Sequence, residues 1–188
     1  ICDSSACGLT LTQSELSYIN AAKLVIGDSS SGDIYVDGVN TSHISGGVTF
    51  NSSGSGGSVI FGAGGSVLKV ATINAGNGVT INGDLSITGS SVFNADYDSS
   101  GTGTFTLAAT KALTALTISI SANDVDILGA TSSGTGSTTV AVSDGGTIGL
   151  GGTTGDMTIS GAELGNITAG TLNIGDSSTG NITVDGIS

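Results

Sequence analysis

Short apolar–polar–apolar triplets recur along most of the chain and limit the folds that it can adopt. Typical triplets are Ile34-Tyr35-Val36, Val79-Thr80-Ile81 and Leu85-Ser86-Ile87, and the segments between such triplets are rich in Gly, Asn, Asp and Ser. A period of two residues is the signature of a short β-strand with one buried face, and the intervening residues favour tight turns. The sequence therefore predicts an all-β protein of many short strands, spaced roughly ten residues apart.

A segment near the start of the chain is repeated near its end. The sequence from Ser14 to Gly38 aligns without a gap with that from Ala162 to Gly186, and the offset is 148 residues because Glu15 matches Glu163 (163 − 15 = 148). Repetition of this kind is typical of stacked, solenoid-like architectures. We expect a boundary segment at residues 1–8, one repeat over residues 9–156 and the start of a second copy over residues 157–188, as part of a longer repetitive polymer.

Only two segments resemble helices, Leu11–Ala22 and Ala108–Ala115. Ser14 is a suitable N-cap for the first of them, but the equivalent Ala162 is not, and several glycines weaken a helix in the second copy. We therefore interpret Leu11–Ala22 as a loop or single turn that Leu16 anchors against the core.

Two architectures contain many short strands without helices: antiparallel sandwiches or barrels, and solenoids. Very short strands, single Gly or Asn residues in place of paired hairpin signals, an aromatic content of 4% and the long-range repeat all favour the solenoid. We predict a right-handed parallel β-helix with roughly three strands per coil. Grouped by central residue, the first coil contains Val25, Tyr35 and Thr49, and the second begins at Ile60.

The charge of the chain excludes several classes of partner. There are 15 acidic residues against 3 lysines, no arginine, and a formal net charge of -12. Phosphate backbones and anionic membrane surfaces bind clustered cations, which are missing from this sequence. No run of about 18 apolar residues is present, so the sequence predicts neither nucleic-acid binding nor membrane insertion.

The sequence also gives little support for catalysis. His43 is the single histidine, and the two glutamates, Glu15 and Glu163, occupy equivalent repeat positions that we expect to lie coils apart. Polysaccharide-cleaving enzymes need paired carboxylates close together. Thr-x-Thr pairs such as Thr104-Phe105-Thr106 do not recur once per coil, which argues against an ice-binding face. We expect no catalytic residues and no cofactor, apart from calcium at one candidate site.

That candidate calcium site combines Asn94, Asp96 and Asp98, which place oxygen ligands at alternate positions. It departs from the EF-hand pattern because Ser99 stands where glycine is expected and no glutamate follows at the required distance. The alternative is a solvated acidic turn.

Cys2 and Cys7 are the two cysteines of the chain. They predict a small disulfide loop at an N-terminal boundary and an oxidising compartment, with two free thiols as the alternative. A zinc site is disfavoured because there is no second cysteine pair.

Two further groups of residues are candidates for roles outside the core. The repeated turn contains Gly27 with Asp28 and Gly175 with Asp176, where glycine permits the bend and aspartate bonds nearby amides. Four sequons are possible glycosylation sites, although Asn and Thr are frequent enough here for chance occurrence. Their asparagines are Asn40, Asn51, Asn166 and Asn181.

The motif E-L-x-x-I-x-A-x-x-L-x-I-G-D-x-S-x-G-x-I-x-V-D-G, within Leu11–Gly38 and its copy, resembles repeats of very large secreted exoproteins of the filamentous-haemagglutinin-like adhesin class. The resemblance implies a right-handed β-helical shaft, an extracellular or cell-surface location, and self-assembly or adhesion without catalysis. No secretion or capping domain of that class is recognisable here. We expect a building block that stacks end to end with itself or with neighbouring repeats, or alternatively an adhesin module that binds a glycan or host receptor.

Overall fold

The computed structural model describes residues 9–187 and shows a nearly all-β protein with parallel strands. Among these residues there are 20 strands and two five-residue helices. In chain order they are α1 (Gln13–Ser17), β1 (Leu24–Gly27), β2 (Ile34–Val36), β3 (Val48–Ser52), β4 (Val59–Phe61), β5 (Ser66–Leu68), β6 (Ala71–Ala75), β7 (Val79–Ile81), β8 (Leu85–Ile87), β9 (Ser90–Asn94), β10 (Thr104–Leu107), β11 (Ala112–Thr114), β12 (Thr117–Ala122), β13 (Asp124–Ile127), β14 (Ala130–Ser132), β15 (Ser137–Val142), β16 (Ile148–Gly151), β17 (Met157–Ile159), α2 (Gly161–Gly165), β18 (Ile167–Thr168), β19 (Thr171–Ile174) and β20 (Ile182–Asp185). Neither helix is long enough or apolar enough to cross a bilayer.

The strands form four sheets, and every strand pairing in the described part of the chain is parallel. Sheet A has the order β1-β3-β6-β9-β12-β15-β19, sheet B the order β13-β10-β7-β4-β2, sheet C the order β18-β14-β11-β8-β5, and sheet D the order β17-β16-β20. Successive strands from β3 to β14 enter sheets A, B and C in rotation. The predicted all-β, parallel architecture is therefore confirmed, and stacked parallel sheets of this kind are consistent with a β-helix or solenoid.

The core is a column of apolar side chains enclosed by sheets A, B and C. Side chains alternate inward and outward along each strand, so that in β6 the buried residues are Ala71, Ile73 and Ala75. Two phenylalanine pairs pack edge to face within the column, Phe50 with Phe61 and Phe93 with Phe105, at centroid distances of 5.8 and 5.2 Å. Each buried aromatic side chain stabilises the fold by about 1.5–3 kcal/mol through removal of apolar surface from water.

The predicted grouping of strands into coils is wrong in detail. Val25 and Thr49, which were assigned to separate faces of one coil, are direct neighbours in β1 and β3 of sheet A. The grouping failed because no described strand lies between β2 and β3, where the chain pairs with β5 of sheet C only through the isolated bridge of Asn40 to Val67. The helix-like segment Ala108–Ala115 also differs from expectation, since Ala112–Thr114 forms β11. There Leu113 is fully buried, and its register partners are Leu85 and Thr131.

The two helices are single turns with matching capping boxes, and Ser14 is not the cap. Thr12 caps α1 and Ser160 caps α2, each accepting a hydrogen bond from the backbone of a glutamate three residues later. The Glu15 and Glu163 side chains bond back to the cap residues, which satisfies two amides at each helix start. A single capped turn requires little intrinsic helix propensity, so it forms in the second copy in spite of the glycines there.

Sheet D is a separate sheet of three strands near the end of the described chain. β16 lies between β17 and β20, and the residues just before β16 and β17 are joined because the Thr147 amide and hydroxyl both donate to the Asp156 carboxylate. Hydrogen bonds from the Thr147 amide and hydroxyl lower the pKa of Asp156. β17 also packs beside β13, and the Thr158 amide donates to Asp124 Oδ1 at 2.9 Å.

Candidate functional site: the two copies of the repeated segment

The repeated segment occupies both edges of sheet A. We call residues 11–38 the first copy and residues 159–186 the second copy. β1 of the first copy is one edge strand of sheet A, and β19 of the second copy is the other. Within the described residues β1 pairs only with β3, and β19 pairs only with β15. Each copy therefore leaves one strand edge open, and the two open edges face opposite ends of the molecule.

The strands of the first copy pair with strands that come later in the chain. Ile34 and Val36 of β2 pair with Val59 and Phe61 of β4, and the exposures of Ile34 and Val36 are 7% and 0%. Leu16 of α1 is also buried. The apolar side chains of this copy therefore belong to the core.

Polar contacts fix α1 of the first copy against the residues that follow β2. Gln13 Nε2 donates to the Asn40 carbonyl at 3.1 Å, and the Asn40 amide donates to Gln13 Oε1 at 2.7 Å. These two reciprocal hydrogen bonds resemble those between paired strands, although α1 is a helix. His43 Nε2 lies 3.2 Å from the Leu16 carbonyl oxygen and adds a second contact.

The second copy is covered on the opposite side. β20 pairs with β16, which precedes it, and no described strand pairs with the other edge of β20. The side chains equivalent to Ile34 and Val36 are Ile182 and Val184, which are 43% and 59% exposed. Identical side chains at equivalent positions are thus buried in one copy and exposed in the other.

The glutamate of each helical turn bonds to its own cap residue in both copies, but within the described residues only Glu163 of the second copy also bonds to a distant strand. Glu163 Oε2 accepts hydrogen bonds from the Ser160 amide and hydroxyl, both at 2.8 Å, and Glu163 Oε1 accepts one from the Ile127 amide at 3.1 Å. In the first copy Glu15 Oε2 accepts the equivalent bonds from Thr12 at 2.8 and 2.7 Å. The bonds from the Thr12 amide and hydroxyl lower the pKa of Glu15.

The repeated turn has the same geometry in both copies. Gly27 and Gly175 have φ values of 84° and 83°, in the left-handed region that favours glycine. Asp28 Oδ1 accepts the Ser30 amide at 2.8 Å, as Asp176 Oδ1 accepts that of Ser178.

The pKa of Asp176 is lowered by these contacts. Hydrogen bonds from the hydroxyl and amide of Ser178 are the largest causes, and with smaller contributions from Thr179 they outweigh the opposing effect of burial. The turn therefore stabilises a carboxylate rather than a carboxylic acid.

An aspartate after β2 contacts the next turn of the chain. Asp37 Oδ1 accepts the Gly64 amide at 2.7 Å. A Cβ atom added to Gly62 or Gly64 would meet the Asp37 carboxylate at 2.6 or 2.8 Å, so a larger residue there would displace the Asp37 side chain. Asp185 is the equivalent residue of the second copy, and it is exposed.

Three other aspartates bond in the same way to backbone amides some 25 or more residues further along the chain. Asp33 accepts the Ser58 amide at 3.0 Å, Asp84 the Ala112 amide at 3.0 Å, and Asp124 the Thr158 amide at 2.9 Å. Carboxylate acceptors at the corners thus satisfy amides where the strand ladders are interrupted.

The predicted calcium ligands have separate surroundings. Asn94 Nδ2 donates to Asn74 Oδ1 at 2.6 Å, Asp98 is exposed, and Asp96 is only 2% exposed. Among residues 9–187, no group of three or more His, Cys, Asp and Glu side chains is arranged to hold a metal ion. Calcium binding at these residues stays a prediction.

Asp96 instead holds two distant parts of the chain together. Its carboxylate accepts the Ser100 and Gly101 amides at 3.0 and 3.2 Å and the Ser143 hydroxyl at 2.7 Å. Burial alone would raise the pKa of Asp96, but the hydrogen bonds from Ser143, Gly101 and Ser100 outweigh it and leave the pKa below its ordinary value. No sequence signal links Asp96 to Ser143, which lies 47 residues away.

The four sequon asparagines lie in different environments. Asn40 and Asn181 are exposed, whereas Asn51 and Asn166 are partly buried, and the Asn166 amide group donates to the Ile127 carbonyl at 2.8 Å. That bond holds the Asn166 side chain against the backbone, so the exposed Asn40 and Asn181 are the more accessible acceptors. The predicted disulfide of Cys2 and Cys7 lies outside the described residues.

The two capping boxes were not predicted from the sequence, although their pattern is visible in it. Thr12-Gln13-Ser14-Glu15 and Ser160-Gly161-Ala162-Glu163 both fit the pattern of Ser or Thr followed three residues later by Glu.

A comparison of the chain with protein-family models, curated proteins and solved structures gives no match. Within the described residues the site consists of unpaired strand edges at β1 and β19 and exposed apolar side chains beside them.

Proposed function

We propose that this chain is a non-catalytic structural building block of an extracellular fibre or giant cell-surface protein, which stacks end to end through its strand edges. One observation carries the proposal: the same segment lies at both edges of sheet A, covered on one side in the first copy and on the other side in the second. A neighbouring unit, in a second molecule or in a further repeat of the same chain, would complete both.

We further propose a right-handed coil with three strands per turn. The rotation of successive strands through sheets A, B and C supports this winding. The right-handed sense follows from the general preference of parallel crossover connections.

Physical arguments favour axial growth over lateral clumping. An open strand edge presents unpaired amides and carbonyls that template another strand, and Leu172, Ile182 and Val184 add exposed apolar surface at the same end. A formal net charge of -12 opposes side-by-side aggregation. Growth is therefore directed to the ends.

The alternative function is an adhesin module that binds a glycan or host receptor through its outer face. An open groove of about 360 Å³ beside sheet C favours this candidate, with Asn40, Asp84 and Ser86 among its lining residues. Tyr97, which is 53% exposed beside the exposed Asp98, offers an aromatic surface for a sugar ring. The resemblance to secreted adhesin repeats is compatible with either function and supports an extracellular location.

Electron microscopy of the purified chain, with and without a calcium chelator, tests the proposal. We expect unbranched filaments of uniform width with an axial repeat. Loss of the filaments on chelation would support calcium binding by Asn94, Asp96 and Asp98. Discrete particles at all concentrations would contradict end-to-end stacking and favour the adhesin module, whose test is binding of neutral oligosaccharides by calorimetry.

A further inference from the structure

We propose that the joint between stacked molecules forms by exchange, in which the second copy of one molecule replaces the first copy of the next. The inference rests on the proposed end-to-end stacking and specifies its register. The partner is a second copy of this chain, because the surface that would cover the second copy is already present in the molecule, where it covers the first.

The strand pairing of the first copy gives the register of the joint in sheet A. Leu24 and Ile26 of β1 pair with Val48 and Phe50 of β3. The equivalent residues of β19 are again leucine and isoleucine, Leu172 and Ile174, so β19 presents the same inward side chains to a second molecule's β3. No repacking of β3 is required.

The register continues on the neighbouring face. β2 pairs Ile34 with Val59, and β20 carries isoleucine at the equivalent position, Ile182. Likewise Val184 takes the position of Val36, opposite Phe61. Both side chains would pass from exposed to buried, while Ile34 and Val36 of the displaced first copy would become exposed, so the joint transfers apolar burial from one copy to the other.

The corner after β20 supplies a polar contact in the same register. Asp185 takes the position of Asp37, whose Oδ1 accepts the Gly64 amide. Gly62 and Gly64 of the second molecule, which carry no Cβ, leave room for this carboxylate.

The second copy keeps its present partners while it gains new ones. β20 stays paired with β16, and Glu163 stays bonded to the Ile127 amide, because both contacts lie on the opposite side from the joint. The second copy cannot reproduce one contact of the copy that it replaces: Gly161 stands where Gln13 bonds Asn40 in the first copy. Release of buried Leu16 and Val36 from the first copy makes the exchange slow compared with simple docking of edges.

Two cysteine pairs distinguish exchange from direct stacking of the open edges. Both are placed in a background in which Cys2 and Cys7 are replaced by serine. Ile60 pairs with Tyr35, whose equivalent is Thr183, so I60C with T183C would lie on adjacent strands, about 4.8 Å apart, in an exchanged joint.

Direct stacking would instead place β19 of one molecule beside β1 of the next. V25C with N173C reports that arrangement, because Val25 and Asn173 occupy equivalent outward positions on β1 and β19. Within one molecule neither pair lies on adjacent strands, so every cross-link joins two molecules.

After oxidation, or with a short bifunctional thiol reagent, we expect a ladder of multimers on a denaturing gel for I60C/T183C and several-fold less for V25C/N173C. Adding V184D, at a residue 59% exposed in the separate molecule, should abolish the I60C/T183C ladder and leave the circular dichroism spectrum unchanged. Filaments that cross-link only through V25C/N173C, or through neither pair, would overturn the exchange but not the stacking. Absence of both filaments and cross-links would overturn both proposals.

Discussion

The two copies of the repeated segment carry the same apolar side chains but bury them to different degrees. Val36 is completely buried in the first copy, whereas its equivalent Val184 is 59% exposed in the second. Both lie on short parallel strands in register with core residues, Val36 opposite Phe61 of β4 and Val184 opposite Leu150 of β16. Burial in this fold is therefore set by the neighbouring strand as much as by the sequence of the strand itself.

Local hydrogen bonds form in both copies, whereas burial depends on contacts with neighbouring strands. The capping boxes and the Gly-Asp turns form in both copies, because all their bonds lie within a few residues. The burial of Ile34 and Val36 depends on residues some 25 positions away in β4. Local geometry is repeated, whereas the packing energy is supplied by stacking.

The largest expected effect comes from a charge placed at equivalent valines. V36D buries a carboxylate without a partner in the core, and we expect it to lower the free energy of unfolding by at least about 3 kcal/mol. V184D should change that free energy by no more than about 0.5 kcal/mol in the separate molecule. Urea denaturation at low protein concentration measures both, and equal losses would contradict the difference in burial.

Alanine at the repeated glycine gives a smaller contrast. In the first copy a Cβ at Gly27 would overlap the Asn51 carbonyl oxygen, whereas at Gly175 the nearest atoms are side-chain atoms of Ile182 and Thr179, at 3.2 Å. Both variants also suffer left-handed strain of about 1–2 kcal/mol. We expect G27A to cost about 3 kcal/mol and G175A about 1 kcal/mol by thermal unfolding. A larger loss for G175A would be inconsistent with an open strand edge at β19.

The two glutamates should differ by one hydrogen bond. E15A removes a capping box, at a cost of about 1 kcal/mol. E163A removes the equivalent box and also leaves the buried-strand amide of Ile127 without its acceptor, so we expect about 2 kcal/mol. The control is the pair T12A and S160A, which remove only the caps and should have similar effects on the midpoint of urea unfolding.

The smallest effect concerns pH. The pKa of Asp176 is lowered in the folded chain, so its contribution to stability is present above the ordinary aspartate pKa of about 3.9 and is lost as the pH falls through the lower, folded value. An NMR titration of the carboxyl carbons should place the Asp176 pKa below that ordinary value. S178A should raise the Asp176 pKa because it removes the first of its causes, and an unchanged titration in S178A would contradict the assigned hydrogen bonds.

Strands with strong periodic signals were predictable from the sequence. Val79–Ile81 and Leu85–Ile87 are strands as expected, because valine, isoleucine and leucine alternate with polar residues there. Ala112–Thr114 was not predicted, since Ala108–Ala115 resembles a helix on local propensity alone. Its strand conformation comes from parallel pairing with β8 and β14, which a sequence pattern does not encode.

The candidate site was predictable only in part, for a related reason. The sequence repeat identifies the two copies and the Gly-Asp turn, because these are local patterns. The opposite burial of Val36 and Val184 depends on which strands lie above and below them. The bond from Ser143 to Asp96 joins residues whose proximity follows only from the stacking of strands.

Amide hydrogen exchange as a function of protein concentration tests most directly the claim that a neighbouring unit covers the second copy. We predict that the amides on the open edges of β19 and β20 exchange rapidly in the separate molecule and become strongly protected on assembly, while protection of β7 in the middle of the stack stays constant. Assembly without added protection at β19 and β20 would contradict the claim, because the strand edge that the account assigns to the joint would still be open to water.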